Sequence, residues 1–166
     1  MTDKTYHILV LCTGNSARSI MAEAILNSLG EGRFVAYSAG SRPAGKVNPD
    51  ALRQLQSAGH ATAELRSKSW DEFEGPQAPR MDIVITVCDS AAKESCPLWH
   101  GAPVTAHWGV SDPATVKGTD GEIRKAFDDA YRVLQHKLKL LVALPVSRLA
   151  KDDLKMKLRE IAGTHP

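Results

Sequence analysis

Cys12 and Arg18 stand at the two ends of Cys12-Thr13-Gly14-Asn15-Ser16-Ala17-Arg18, with Ser19 following. A thiol and a guanidinium joined by a short polar loop are the parts of an oxyanion site. A loop that wraps at a helix start turns successive backbone N–H groups inward and makes an anion nest. Thr13, Gly14, Asn15, Ser16 and Ala17 supply those groups here. Arg18 adds a planar fork of donors that fits a tetrahedral anion. Cys12, at the rim, is then aimed at the anion's central atom. Gly14 offers the freedom for positive φ, Asn15 tolerates left-handed geometry and can tie the loop, and Ser19 is a hydroxyl donor for the sulfur.

Magnitudes show why all the parts are needed. An ordinary thiol of pKa about 8.5 is only ~3% ionised at pH 7. Bringing it to about 6 takes roughly 3.4 kcal/mol, at about 1.36 kcal/mol per unit. A helix dipole supplies about 0.3–1 kcal/mol. Hydrogen bonds to the sulfur and the Arg18 charge must provide most of the remainder. A buried structural cysteine in a turn is the plain alternative, and the Arg, Gly and Asn around Cys12 argue against it.

Two further thiols, Cys88 and Cys96, lie in Val87-Cys88-Asp89-Ser90-Ala91-Ala92-Lys93-Glu94-Ser95-Cys96-Pro97. Either could be simply buried. Cys88, Cys96, His100 and His107 could also be read as zinc ligands, but the thiols are irregularly spaced and lack a Cys-x2-4-Cys knuckle. No bound metal is expected. Asp112 before Pro113 is a turn opener or, next to an oxyanion loop, a general acid.

The elements that must position these groups can be read around them. His7 to Leu11 is a short apolar run typical of a strand buried on both faces, and it ends at Cys12. Ile20, Met21, Ala24, Ile25 and Leu29 form one helical stripe that stops at Gly30. Phe34 to Ser38 reads as a second strand. Asn48-Pro49 is a helix start, and that helix runs to Gly59. Trp70 to Arg80 is irregular. Asp82 to Val87 is the next strand, ending at Cys88, and Val104 to His107 is a weaker fourth. Thr119-Asp120-Gly121-Glu122 has capping-box spacing and opens the clearest helix, which Pro145 breaks. Leu149 to Ile161 makes a last helix. Strands alternating with helices predict an α/β parallel sheet with its chemistry at the carboxyl ends of the strands.

With 166 residues the chain is expected to form one domain. A net charge of +2 and no long basic run argue against a nucleic-acid binder. The longest apolar stretch, Leu140 to Val146, is far below a membrane span, and Met1 to His7 does not read as a signal peptide. Three cysteines without a disulfide-framework pattern fit reactive thiols in the cytoplasm.

CTGNSARS after a short apolar strand, with Asp112-Pro113 well downstream, resembles the low-molecular-weight tyrosine phosphatase superfamily. Ser38-Ala39-Gly40, the Cys88 segment and His107-Trp108-Gly109 before Asp112 are similar to its thioredoxin-coupled arsenate reductase branch. The likeness spans residues 7 to 143, and the helix after Pro145, at about 147–162, looks like an extension outside it. The resemblance implies a single-domain, four-stranded parallel sheet with helices on both faces.

It also implies a chemistry. Arsenate is nearly isosteric with phosphate, so selectivity must come from reduction of As(V), which two thiols supply by becoming a disulfide. Cys12 attacks arsenate and Asp112 protonates the departing oxygen. Cys88 attacks Cys12, arsenite leaves, and Cys96 then moves the disulfide to Cys88–Cys96. Thioredoxin resets the enzyme by exchange. The Cys88–Cys96 interval is one residue longer than in the best-known thioredoxin-linked members, which keeps glutathione with glutaredoxin as a competing donor. Some relatives hold potassium at the positions of Asn15, Glu23 and Ser38 plus an acidic residue near 65–68. Here Lys68 stands in that stretch, so its ammonium replaces the cation and Glu23 and Ser38 support the loop. His107 and Trp108 are read as packing, Trp70 and Trp99 as borders of the site or partly buried residues, and His7 as structural. Lys151 to Lys157 reads as a solvated helix face. A monomer with arsenate as substrate and no bound cofactor is expected. The rivals are a phosphatase using a Cys12 phosphoenzyme and a non-enzymatic oxyanion or thiol sensor.

Overall fold

Four short strands set the frame: β1 (Tyr6–Leu11), β2 (Phe34–Ala39), β3 (Ile83–Thr86) and β4 (Val104–His107). The computed structural model describes residues 4–93, 99 and 101–166. All strand pairs are parallel, in the order β2-β1-β3-β4. Leu11 lies level with Ala39 and Thr86, and Thr86 with His107, so the four loops that follow leave the same edge. The chain winds from β1 to β2 on one side and returns to β3 on the other. The crevice such a reversal opens therefore lies between the ends of β1 and β3, which are followed by Cys12 and Cys88.

Among the described residues five helices flank the sheet, two of them opened by side-chain caps. They are α1 (Arg18–Gly30), α2 (Pro49–Ser57), α3 (Asp89–Lys93), α4 (Asp120–Val142) and α5 (Lys151–Ala162). Asn48 Oδ1 accepts the N–H groups of Asp50 at 2.8 Å and Ala51 at 3.3 Å, with Pro49 at the first helical position. Thr119 and Glu122 close the reciprocal capping box of α4. The short α3 has no apolar stripe of its own to announce it in the sequence. Pro145 ends the α4 region as expected, but Val146–Arg148 forms a separate 3-10 turn and α5 starts only at Lys151.

Successive strand residues face opposite sides of the sheet. Ile8, Val10, Ile83, Ile85 and Val104 pack with side chains of α1, α2, α4 and α5 in the main core. Leu9, Leu11, Ala39 and Val84 face the other way, where Phe73, Met81, Tyr37, Trp70 and Trp99 cover them. Trp70 and Phe73 come from the Trp70–Phe73 turn, which gives order to part of a segment read as irregular. His7 Nδ1 meets the Tyr37 hydroxyl at 2.9 Å, a structural contact away from the loop. Among the described residues no helix is long and apolar enough to cross a membrane.

Candidate active site

The loop from Cys12 to Ala17 joins β1 to α1, and its carbonyls point away from it. Arg42 and Ala44 N–H groups donate to the Thr13 and Gly14 carbonyls at 3.0 and 2.9 Å, and Asn48 N–H to Ser16 at 2.9 Å. With those carbonyls held by the 42–48 segment, the opposed N–H groups turn to the inside. Among the described residues no side chain caps the first turn of α1, which leaves its leading donors for an anion. The left-handed turn falls on Asn15, at φ 43°, and not on Gly14. Asn15 can hold it because its side chain is tied at both ends: Nδ2 donates to Ser19 Oγ at 2.8 Å, and Oδ1 accepts from Lys68 N–H at 2.9 Å. Ser19 thus braces the loop, and the expected hydrogen bond from its hydroxyl to the Cys12 sulfur is not among those found in the described residues.

Gly40, at the end of β2, lies under the loop. A Cβ there would stand 2.3 Å from the Thr13 carbonyl oxygen and 2.6 Å from that of Cys12. Only glycine lets the two backbones approach this closely.

Cys12 and Cys88 are both buried and free of disulfide, and the ends of β1 and β3 bring their sulfurs into a mutual hydrogen bond. Cys88 Sγ also accepts from Thr13 N–H at 3.3 Å and Ala91 N–H at 3.4 Å, with Thr13 Oγ1 at 3.7 Å. These donors decide where the negative charge sits. The hydrogen bond from Cys12 lowers the Cys88 thiol most, to about 5; burial opposes this, and the Ala91 and Thr13 N–H groups add to it. Cys12 moves in the opposite direction. Its hydrogen bond to Cys88 and its burial push it far above the ordinary thiol range, against the Arg18 charge and the Gly14 N–H. The sequence places the activated thiolate on Cys12. The shared hydrogen bond thus raises the Cys12 thiol and lowers the Cys88 thiol, so both sulfurs enter the chemistry of the loop.

Arg18 is anchored at the loop's far end. Nη1 donates to the Val110 carbonyl at 2.8 Å and Nη2 pairs with Asp112 Oδ2 at 3.3 Å. Its buried Nε has no hydrogen-bond partner among the described residues. A buried donor in that state is rare, and an oxyanion in the loop would satisfy it. Asp112 opens the turn, as one of its two readings has it, and its second carboxylate oxygen faces the loop. Its Oδ1 accepts Ala114 N–H at 2.9 Å and caps the Pro113–Thr115 turn, while Oδ2 faces Arg18. Arg18, Asp89, Gly109, Val110, Ser111 and Asp112 line a cleft of about 380 Å³.

Behind the loop, Lys68 Nζ lies 3.3 Å from Glu23 Oε1, 3.4 Å from Ser38 Oγ and 3.0 Å from the Arg66 carbonyl oxygen. Ser38 Oγ in turn donates to Glu23 at 2.5 Å. Burial lowers the Lys68 pKa, and the Glu23 carboxylate opposes that shift. These residues do not fit a resident potassium ion, because the ammonium already occupies the acceptors that would hold it.

His107 contacts Thr86 through Nδ1 at 2.8 Å and Asp89 through Nε2 at 2.9 Å, with no second sulfur or carboxylate to form a metal cluster among the described residues. Cys96, the expected third thiol, and His100 lie outside the described residues. Trp70 and Trp99 stack edge to face at 6.1 Å on the sheet face away from α1. Sequence reasoning missed Gly40 as a support and Thr13 as a donor to Cys88. The first had a signal, a glycine just past a strand end; the second had none, because it needs the β1–β3 register.

The low molecular weight phosphotyrosine protein phosphatase profile matches residues 7–155. The arsenate reductase of Bacillus licheniformis is 38% identical over 122 residues, covering 74% of this chain and 83% of that protein. That of Halalkalibacterium halodurans is 37% identical over 115 residues, covering 69% and 79%. The crystal structure of an arsenate reductase from Archaeoglobus fulgidus aligns with a TM-score of 0.62 at 27% identity, over 82% of this chain and 99% of that one. A tyrosine phosphatase of Erwinia amylovora shares the fold at a TM-score of 0.63 and 22% identity, over 85% and 94%. With a strand-end cysteine loop closed by Arg18 and a profile match over most of its length, this chain belongs to the low molecular weight phosphotyrosine protein phosphatase family.

Proposed function

We propose that this protein is an arsenate reductase. The observation that carries the reading is the second sulfur: Cys88 is hydrogen-bonded to Cys12 at the mouth of the anion loop. A phosphatase needs only one cysteine for its chemistry and would use a second sulfur only for redox protection. A reductase needs that pair, because taking As(V) to As(III) requires two electrons and two thiols supply them.

In this scheme arsenate sits in the loop, held by inward N–H groups and by Arg18, whose free Nε gains a partner. Cys12 Sγ bonds arsenic as its proton passes along the existing hydrogen bond to Cys88, and one arsenic oxygen leaves as water with a proton from Asp112. Cys88 then passes that proton to an arsenic-bound oxygen and, as a thiolate, attacks Cys12 Sγ. The S–S bond forms, the S–As electron pair stays on arsenic, and arsenite departs. The net change is two thiols to one disulfide, arsenate to arsenite, and one oxygen to water. Cys96 attacks Cys88 in turn, freeing Cys12, and an external dithiol reduces the Cys88–Cys96 bridge. Thioredoxin is the first candidate donor and glutathione with glutaredoxin the second. The chemistry needs a reducing compartment, which favours the cytoplasm, and a monomer suffices for it.

Arsenate-dependent NADPH oxidation with thioredoxin and thioredoxin reductase tests the scheme. Cys12→Ser, Cys88→Ser and Cys96→Ser are each expected to abolish multiple turnover. Full turnover of Cys96→Ser with glutathione and glutaredoxin would replace the three-thiol relay by a two-thiol one. Hydrolysis of phosphate esters with no arsenate turnover under either donor would show the protein to be a phosphatase.

A further inference from the structure

Helix α5 runs past residue 155, where the family profile stops, and it packs beside the loop that carries Asp112. Leu154, Leu158 and Ile161 are buried in the same core as Trp108, Val110 and Tyr131. Two polar ties accompany this packing. Trp108, 1% exposed, donates its indole Nε1–H to the Leu158 carbonyl at 2.9 Å. Lys137 of α4, also 1% exposed, directs its ammonium at the end of α5, 2.6 Å from the Ala162 carbonyl oxygen, 3.1 Å from that of Thr164 and 3.5 Å from that of Ile161. Among the described residues no carboxylate pairs with Lys137. The negative end of the helix balances this cation.

What these ties hold is the start of the acid loop. Trp108 N–H donates to the Thr86 carbonyl at 2.7 Å and Val110 N–H to Val87 at 3.1 Å, and Val110 offers its own carbonyl to Arg18 at 2.8 Å. Asp112 follows two residues later. Behind the loop, between it, α4 and the chain end after α5, lies a cleft of about 420 Å³ that includes Asp112, Val133, Lys137 and His165. Packing therefore does not wedge the loop from that side. The indole adds a tie to α5 beside the backbone bonds that Trp108 and Val110 make to β3 and its following residue.

We propose that α5 is a positioning element for the acid loop, acting through the Trp108–Leu158 hydrogen bond and the Lys137 clamp to set the reach of Asp112 over the bound oxyanion. Displacement of a reacting group by about 1 Å can cost ~100-fold in rate, so partial loosening has a measurable effect. The proposal takes its substrate from the arsenate reductase reading.

The test compares Trp108→Phe, which keeps the ring and loses the donor, with Lys137→Met and Lys137→Arg, each checked for a cooperative melt. In a single turnover without external reductant, Trp108→Phe and Lys137→Met are expected to release arsenite about three- to tenfold more slowly, ~0.7–1.4 kcal/mol in barrier. Their affinity for inorganic phosphate should stay within about twofold, since the loop N–H groups are untouched, and Lys137→Arg should recover most of the rate. In a 15N spectrum, the Trp108 indole N–H of Lys137→Met should shift and exchange faster. Folded variants with wild-type arsenite release, or an indole signal unmoved in Lys137→Met, overturn the proposal. So does a parallel fall in rate and phosphate affinity, which marks a purely structural role. If the wild type makes no arsenite, the substrate reading fails on its own. Hydrolysis of p-nitrophenyl phosphate, which also needs Arg18 and Asp112, then replaces arsenite release, with the same drop expected and its absence overturning the inference.

Discussion

The Cys12–Cys88 hydrogen bond is expected to make the two thiols titrate as a pair. Above about pH 5 the pair is expected to hold one thiolate, since Cys88 is lowered to about 5, whereas an ordinary thiol ionises near 8.5. Thiolate absorbance followed by ultraviolet titration checks this. Signal from the pair that rises only above about pH 8 contradicts it. In Cys88→Ala the largest cause raising Cys12 is removed, so Cys12 should ionise at lower pH than in the wild type, drawn down by Arg18 and the Gly14 N–H. The same residue-scale argument applies to Lys68. Its side chain is 7% exposed and that of Glu23 14%, so Lys68→Met strands a largely buried carboxylate. Breaking a buried pair costs about 3–5 kcal/mol. The loss should appear in denaturant unfolding and be partly reversed by potassium but not by choline. A loss below about 0.5 kcal/mol would mean that the pair behaves as a surface one.

At the scale of elements, the loop depends on its neighbours' backbones. Gly40→Ala would force a methyl into the Thr13 and Cys12 carbonyls. Overpacking of this kind costs about 1–3 kcal/mol, and here the strain falls on the loop, so phosphate affinity should drop along with stability. Normal phosphate binding by a folded Gly40→Ala would refute that account. Thr119→Ala is a useful contrast. It opens the capping box of α4, should cost about 1 kcal/mol in unfolding free energy, and should leave phosphate affinity unchanged because α4 starts away from the loop. Several elements were legible without any structure. The Asn48-Pro49 start, the Thr119–Glu122 box and the β4 span Val104–His107 are written in local residue types. α3 was not, because five residues are too few to show a period.

At the scale of the whole molecule, anion binding is expected to be coupled to folding, since the loop, the 42–48 segment, Gly40, Lys68 and the acid loop meet only in the native state. A ligand that binds only the native state stabilises it by about 2.7 kcal/mol at 100 times its dissociation constant. For a chain of this size, that raises the melting midpoint by roughly 5–10 °C. Phosphate and arsenate should give nearly equal shifts, because the cradle senses charge and shape and not redox state. Arg18→Ala should abolish both. A large preference for one anion in this assay would place selectivity in binding instead of in the thiols.

The sequence alone determined the parts and their order: an anion-binding loop with a cysteine and an arginine, a later aspartate before proline, and a parallel α/β frame. These are visible because local spacing and periodicity fix them. Asn15 was recognised as able to take left-handed geometry, yet only the folded chain showed that it does so in place of Gly14. Lys68 was legible as a cation behind the loop, and its three acceptors became visible only in space. Tertiary structure decided which two sulfurs meet, what Gly40 must avoid, and what α5 packs against. Each depends on groups dozens of residues apart meeting within a few ångströms, and strand register and helix packing, which no local pattern encodes, determine those meetings.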